Sequence, residues 1–295
     1  MKLGLIDVDS KIPNLALMKL SAWHKTREDE VKLYDPLFDK DDTDLVYASK
    51  IFKFSPDYQY WPGCEIIRGG SGYDLEVKLP DEIENQYPDY SLYNINYAMG
   101  FTSRGCIRNC GFCIVPRKEG RFHPVADIDQ FWRGQKSLVL LDNNLTADAE
   151  HFERIAKQLI KNKIKTDITQ GLDIRLIDDA KAKLLSQIKR KKDARIPFAW
   201  DSMDIEQDVL RGIQILNKYI KSKNLKFYVL IGWDTTEDED LYRVEMLRSL
   251  RIAPFVMPFN KDDSYQADFA RWTNHKATFN ATSWHAYKRR IKYVG

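Results

Sequence analysis

Strand-like and helix-like segments alternate regularly from residue 96 onward. Short apolar runs are each followed by an apolar pattern with the 3.6-residue period of a helix. The predicted strands are Tyr97–Thr102, Leu138–Leu141, Thr166–Ile174, Pro197–Asp201, Lys226–Ile231 and Ala253–Pro258. The clearest predicted helices are Ala149–Lys161, Asp178–Lys189, Asp204–Lys221 and Glu237–Leu250. Six strands with intervening helices predict an α/β fold with an incomplete, TIM-like (β/α)6 barrel, whose function lies at the carboxyl ends of the strands.

The first part of the chain predicts a smaller α/β domain. A strand at residues 3–8, a helix from Leu15 to about Lys25 and a strand at Leu45–Ala48 give the β-α-β order of a small, Rossmann-like parallel sheet. The predicted domain boundaries are 1–80 for this domain, 81–95 for an irregular connector, 96–262 for the barrel and 263–295 for a C-terminal helical tail.

Composition excludes several classes of protein. With 43% hydrophobic residues, 30% charged residues and a net charge of +3, the 295-residue chain has material for a core, and its total charge does not indicate a dedicated nucleic-acid binder. The N-terminus lacks the apolar run of a signal peptide, and no span approaches the roughly 20 apolar residues that cross a bilayer. We therefore expect a soluble cytoplasmic protein that does not contact a membrane.

Three of the four cysteines fall within eight residues, directly after the first strand of the predicted barrel. They are Cys106, Cys110 and Cys113, whereas Cys64 stands alone. In a reducing compartment such clustering indicates a metal or redox site. Three thiolates can hold a four-iron four-sulfur cluster and leave one iron open to a ligand. Two alternatives stay open: a structural zinc site with His123 as fourth ligand, and reduced cysteines without a metal.

The spacing Cys-x-x-x-Cys-x-x-Cys, with the aromatic Phe112 before the third cysteine, resembles the signature of the radical S-adenosylmethionine superfamily. The resemblance implies that this loop follows the first strand of a partial barrel. It also implies two cofactors, a four-iron four-sulfur ([4Fe-4S]) cluster and S-adenosylmethionine, and an electron donor of the flavodoxin or ferredoxin type. The implied reaction is reductive cleavage of S-adenosylmethionine to methionine and a 5′-deoxyadenosyl radical. Phe112 would then lie near the adenine.

A polar run, Asp142-Asn143-Asn144, follows the second predicted strand of the barrel. Its position at a strand end, and its similarity to one subgroup of the superfamily, imply contact with S-adenosylmethionine. The alternative is an N-cap and turn before the helix that begins near Asp148, since Asp and Asn serve such positions well.

Later strand ends supply further candidates for binding S-adenosylmethionine. Asp173 and Arg175 share one face of the third predicted strand, where they form either an ion pair or a contact with the cosubstrate carboxylate or the substrate. At the fourth strand end, the resemblance implies that Asp201 or Ser202 contacts the ribose. At the fifth, Ile231-Gly232 resembles the segment whose backbone runs beside the adenine, and a plain strand end with a turn is the alternative.

The N-terminal domain resembles the cobalamin-binding type that precedes the barrel in one branch of the superfamily. Those domains place Asp-x-His-x-x-Gly after the first strand, but residues 7–13 contain no histidine, so cobalamin is disfavoured. Methylthiotransferases of the superfamily carry a second cluster on three N-terminal cysteines. Only Cys64 is available here, which disfavours that activity.

The segment 284–293 mixes basic and aromatic residues, a pattern that fits either nucleic-acid contact or a solvated helical tail. The leading hypothesis is a radical S-adenosylmethionine enzyme that modifies an unknown substrate. The alternatives are a cobalamin-dependent radical methyltransferase and, from another class of protein, a zinc-stapled RNA-binding module.

Overall fold

The computed structural model describes residues 1–39 and 42–287. The chain divides into two compact units. The first contains Met1–Gly100, Arg117–Gly120 and Asp127–Leu138; the second contains Phe101–Pro116, Arg121–Ala126 and the described residues from Val139 onward.

The first unit is built on a four-stranded sheet in the order β2-β1-β3-β4, in which all strand pairs are parallel. Its elements are β1 (Lys2–Asp7), α1 (Leu15–Lys25), β2 (Glu30–Leu33), β3 (Leu45–Ser49), β4 (Glu65–Gly69), α2 (Asp81–Glu84) and β5 (Ala98–Gly100). Helix α1 begins where the side chain of Asn14 accepts hydrogen bonds from the N–H groups of Ala16 and Leu17.

Both faces of the central strand β1 are buried, which explains its continuous apolar run. On one face Leu5 packs with Leu17, Leu20 and Ile83; on the other, Ile6 packs with Tyr34, Val46 and Ala48. The lone Cys64 packs against this second cluster.

Residues 81–100, the predicted connector and the start of the predicted barrel, belong to the first unit. Asp89 pairs with Lys25 (2.7 Å) and accepts a hydrogen bond from Ser21 (2.6 Å). The Tyr93 hydroxyl donates to Asp7 (2.8 Å) at the end of β1. These polar contacts attach the segment to α1 and β1.

The remaining elements follow in chain order. They are β6 (Ser103–Arg104), α3 (Val115–Lys118), β7 (His123–Pro124), β8 (Leu138–Leu140), α4 (Ala149–Lys161), β9 (Thr166–Ile168), α5 (Asp179–Gln187), β10 (Ile196–Ala199), α6 (Glu206–Asn217), β11 (Leu225–Ile231), α7 (Glu237–Ser249), β12 (Ala253–Pro258), α8 (Ser264–Asn274) and α9 (Lys276–Ala281).

In the second unit, β10, β11 and β12 form a parallel sheet in that order, with a helix in each connection. Strand β9 lies beside β8, and a parallel bridge between Leu172 and Phe198 joins the segment after β9 to β10. Along β11 fully buried and half-buried residues alternate, as the two-residue period of a strand requires. The predicted α/β class with parallel sheets is confirmed.

The predicted strand Thr166–Ile174 is wrong beyond Ile168. Strand β9 ends there, and a 3-10 helix covers Ile174–Leu176. Asp173 caps this turn by accepting a hydrogen bond from the Arg175 N–H, an example of a short polar side chain competing with the strand ladder. The prediction that Asp173 and Arg175 share a strand face is therefore wrong, although both lie just beyond the strand.

Other differences are smaller. Sequence analysis missed β2 and β4, the edge strands of the first sheet. The reason is that three of the four residues of β2 are exposed, and three positions of β4 are polar residues or glycine that are not buried. The predicted helix Asp204–Lys221 spans Glu206–Asn217, and the helix Ala149–Lys161 is confirmed at both ends. Within residues 1–39 and 42–287, no helix combines the length and apolar character needed to span a membrane. Of the segment 284–293, residues 288–293 lie outside the described residues.

Candidate functional site

The three clustered cysteines lie on one loop of the second unit, between β6 and α3. Cys106, Cys110 and Cys113 are all partly exposed residues, so a ligand can approach them from solvent. Gly105, which precedes the first cysteine, has φ of 73°, a left-handed conformation that favours glycine. The chain therefore turns sharply into the loop.

Burial raises the pKa of the Cys110 thiol, and the neighbouring Cys113 and Asp201 raise it further. Burial also raises the pKa of Cys113, with an added contribution from Cys106. Thiols that resist deprotonation because they are buried and lie near other acidic groups become stable thiolates when a cationic centre binds. The donor set therefore fits a metal centre.

The described part of the chain contains no three His, Cys, Asp or Glu side chains that converge closely enough to hold one metal ion. A cube-shaped cluster has a different requirement, since each thiolate binds a separate corner iron. His123, considered as a fourth zinc ligand, is exposed, and its Nδ1 contacts the carbonyl of Arg121 (2.9 Å).

Asp142, at the end of β8, is 3% exposed and holds the chain just before the cysteine loop. Its Oδ1 accepts hydrogen bonds from the Thr102 N–H (3.1 Å) and hydroxyl (2.5 Å) and from the Ser103 N–H (2.6 Å) and hydroxyl (2.7 Å). Sequence analysis considered contact with S-adenosylmethionine, or an N-cap and turn, for this polar run, but not this structural role. The helix cap is a different residue, Asp148, whose side chain accepts from the His151 N–H. Contact between Asp142 and S-adenosylmethionine stays a prediction.

The next two residues of the polar run also reach the cysteine loop. Asn143 Oδ1 accepts a hydrogen bond from the Gly105 N–H (3.0 Å). Asn144 is 4% exposed, and its Nδ2 donates to the Cys106 sulfur (3.7 Å). All three side chains of residues 142–144 thus contact residues 102–106.

A buried histidine extends this network into helix α4. His151 Nε2 lies 2.9 Å from the Thr102 hydroxyl, and its Nδ1 lies 3.0 Å from an Arg154 guanidinium nitrogen. Since Thr102 donates its proton to Asp142, the network assigns the imidazole proton to Nε2 and leaves Nδ1 as acceptor. Burial lowers the pKa of His151, in agreement with a neutral ring. Helix α4 therefore supports the start of the cysteine loop.

Asp173 binds two guanidinium groups. It accepts from Arg175 Nε (2.6 Å) and from Nε of Arg108, a residue of the cysteine loop (2.7 Å). Burial alone would raise the pKa of this carboxyl, but hydrogen bonds from Arg175 and Arg108 hold it below its usual range. The predicted Asp173–Arg175 ion pair is therefore present. Two guanidinium groups share one carboxylate, so this group of three side chains carries a net positive charge beside the cysteines.

Asp201 and Ser202 follow β10. Asp201 Oδ1 accepts a hydrogen bond from the Leu230 N–H in β11 (3.1 Å), and Ser202 accepts one from the Asp204 N–H (3.1 Å). Burial raises the pKa of Asp201, against the opposing effects of that N–H and of Arg243 and Arg175. Ribose contact stays a prediction for both residues.

Gly232 directly follows β11 and has φ of 76°. A Cβ atom at this position would lie 2.2 Å from the amide carbon of Gln266, so the close approach that requires glycine is to this side chain. Ile231 is fully buried, and Gln266 is 7% exposed with its Oε1 accepting from the Asn260 N–H (2.8 Å). Packing against Gln266 therefore fixes this turn. Adenine contact at Ile231-Gly232 stays a prediction.

Phe112 of the cysteine loop lies in a row of aromatic rings. Its ring packs edge-on against Trp233 (6.2 Å between centroids), and Trp233 packs against Phe259 (4.7 Å). Trp233 is 46% exposed and Phe259 49%. An accessible aromatic surface next to the cysteines can stack a planar heterocycle.

Comparison with known proteins found two relatives that bear the same name. A tRNA-2-methylthio-N(6)-dimethylallyladenosine synthase of Aquifex aeolicus is 24% identical over 221 residues, which cover 63% of this chain and 49% of the relative. The synthase of that name from a Sulfurihydrogenibium species is 25% identical over 185 residues, which cover 54% of this chain and 42% of the relative. The chain thus spans about half or less of the curated relatives it matches. No family model matches the chain.

The cysteine spacing and these relatives agree on one family. The partial similarity to these relatives supports the radical S-adenosylmethionine superfamily, which the cysteine spacing also resembles.

Sequence analysis missed several residues of this candidate site. Trp233 directly follows the predicted Gly232 and Arg108 lies between two predicted cysteines, so proximity to the motifs was an available signal. His151 shares the buried face of α4 with Phe152 and Ile155, and a polar residue on an apolar helix face was the signal there. Gln266 had no such signal, because its contact comes from a distant part of the chain.

The Asp173 ion pair leads to a stability prediction. Asp173→Asn removes the charge that two guanidinium groups share, and we expect the free energy of unfolding to fall by about 1–3 kcal/mol. Urea unfolding followed by circular dichroism measures this. The matched control is Asp208→Asn, because Asp208 pairs with Arg211 (2.8 Å) and is 43% exposed, where such pairs contribute about 0–1 kcal/mol. Equal losses in the two variants would contradict a structural role for Asp173.

Proposed function

We propose that this protein holds a four-iron four-sulfur cluster on Cys106, Cys110 and Cys113 and cleaves S-adenosylmethionine reductively. The observation that carries the proposal is a loop with three partly exposed cysteines, the first of which, Cys106, accepts a hydrogen bond from the buried Asn144. When bound, the cluster supplies the electron that breaks a C–S bond of the sulfonium, giving methionine and a 5′-deoxyadenosyl radical. The electron would come from a flavodoxin- or ferredoxin-type donor.

The residues around the loop have separate proposed tasks in binding the cosubstrate. Arg175 and Arg108, with their excess positive charge over Asp173, attract the methionine carboxylate. Phe112 and Trp233 flank the adenine by stacking. Asp201 and Ser202 bind the ribose, and the backbone at Ile231-Gly232 lies beside the adenine.

We propose an RNA nucleotide as the substrate class, because both relatives are named for the modification of a tRNA adenosine. Methylthio transfer itself is not part of the proposal. The 295 residues offer one cysteine, Cys64, ahead of the loop, and it packs against the core of the first unit. The methylthiotransferases of the superfamily use three cysteines there.

The proposal also covers the architecture of the two units and the cellular location of the protein. The parallel strands of the second unit are assigned to an incomplete barrel, and the first sheet to a domain of the cobalamin-binding type. Cobalamin itself is not proposed, since no histidine follows β1 in residues 7–13. Clustered reduced cysteines support a cytoplasmic location.

The test is the release of both cleavage products. Protein reconstituted with iron and sulfide without oxygen is expected to be brown, with broad absorption near ~400 nm. With dithionite and S-adenosylmethionine it should release 5′-deoxyadenosine and methionine in equal amounts, slowly, without added substrate. The control omits dithionite. Failure to form either product, with cluster and S-adenosylmethionine both shown to be bound, would refute the proposed reaction, and a colourless zinc protein would favour the RNA-binding module.

A further inference from the structure

We infer that Asn144 is a positioning residue for Cys106 and that its N–H···S hydrogen bond raises the reduction potential of the cluster. This inference rests on the proposed function, because it concerns the cluster that the three cysteines would hold. It assigns Asn144 a task other than binding S-adenosylmethionine.

The polar run pairs with the cysteine loop in register. Asp142 contacts residues 102 and 103, Asn143 contacts residue 105, and Asn144 contacts residue 106. Successive side chains of the run therefore contact successively later positions of the facing segment. The first two bind backbone or hydroxyl groups, and only Asn144 binds a thiol that would be a cluster ligand.

The orientation of the Asn144 amide follows from its second hydrogen bond. Its Oδ1 accepts from the Thr146 hydroxyl (3.0 Å), which leaves Nδ2 facing the Cys106 sulfur at 3.7 Å. Asn144 is 4% exposed and Thr146 is 1% exposed, so packing limits rotation of the amide. The backbone N–H of Arg108 donates to the same sulfur (3.4 Å). Cys106 is thus held by one side-chain donor and one backbone donor.

A donor at a ligand sulfur has a definite electrostatic effect. The N–H dipole stabilises negative charge on the thiolate, and it does so more when the cluster has gained an electron than before. The reduced form is therefore favoured, and the reduction potential rises. Removing this donor should shift the potential to a more negative value.

The experiment compares two neighbouring substitutions of equal size. Asn144→Leu keeps the approximate shape of the side chain and removes the N–H···S bond, whereas Asn143→Leu removes a bond to the backbone of the same loop. Potentials are measured by redox titration of the reconstituted clusters, followed by electron paramagnetic resonance without S-adenosylmethionine. Iron content per chain and circular dichroism are recorded for each protein. Asn144→Ala serves as the second variant if the leucine does not fold.

We expect the potential of the Asn144 variant to be more negative than that of the wild type, while Asn143→Leu stays at the wild-type value. Selective loss of iron from a folded Asn144 variant would also support the inference, because the ligand would then be out of place. An unchanged potential, or the same shift in both variants, would overturn it. If the wild type itself binds no four-iron cluster, the proposed function fails, which is a distinguishable result.

Discussion

Cys110→Ala is expected to abolish retention of the cluster. Iron bound after anaerobic reconstitution should fall from about four per chain to nearly none, because two thiolates cannot hold three corners of the cube. Cys110 is the middle ligand of the loop, and its thiol pKa is raised by burial and by its neighbours Cys113 and Asp201. Iron content, measured colorimetrically after gel filtration, reports the loss.

The matched control is Cys64→Ala. Cys64 is also partly exposed, but it packs against the hydrophobic cluster of the first unit that contains Ile6 and Val46. We expect this variant to bind as much iron as the wild type. Undiminished iron in Cys110→Ala, or equal loss in both variants, would remove the assignment of the loop as the cluster site.

Arg243→Met is expected to lower the free energy of unfolding by about 3–5 kcal/mol, the usual cost of removing one partner of a buried ion pair. Arg243 is fully buried, and its guanidinium donates to Asp240 (2.6 Å) and to the carbonyls of Trp200 (2.7 Å) and Leu230 (2.9 Å). Methionine fills similar space but leaves the Asp240 carboxylate buried without its cation. Denaturant unfolding of the apoprotein measures the change.

The control for this prediction is an exposed pair with the same spacing. Arg271 pairs with Asp268 at i,i+3 (2.8 Å), as Arg243 does with Asp240, but its side chain is 68% exposed. Arg271→Met should cost less than about 1 kcal/mol. Similar losses in the two variants would mean that burial of the Arg243 pair contributes little to stability.

The local sequence pattern was sufficient to predict some of the helices and strands. The helix Ala149–Lys161 was predicted at its bounds because Phe152, Ile155 and Leu159 repeat at helical spacing and Asp148 supplies a cap. Strand β12 was likewise predicted at both ends. The prediction of a strand over residues 166–174 was wrong in its second part, because a hydrogen bond within the turn at Asp173 replaces the hydrogen bonds between strands. Apolar periodicity does not reveal such a turn.

The grouping of the three cysteines was evident from the sequence, and the contacts around them were less so. The cysteines are neighbours in sequence, so their spacing alone indicates a shared centre. The partners of Asp142 and Asn144 lie some 40 positions away along the chain, at separations of 40 and 38 residues, and only tertiary structure brings them together. The residue types of this run and its position at a strand end could be read from the sequence, but its hydrogen-bond partners could not.

The in-register pairing of residues 142–144 with residues 102–106 restricts how homologous chains can diverge. Asp142 contacts residues 102 and 103, Asn143 contacts residue 105 and Asn144 contacts residue 106. Inserting or deleting a single residue in either segment would displace every later pair at once, whereas a substitution would disturb one pair only. Changes in length should therefore be rarer than changes in residue type in these two segments, and alignments of distant relatives can be anchored on both without gaps.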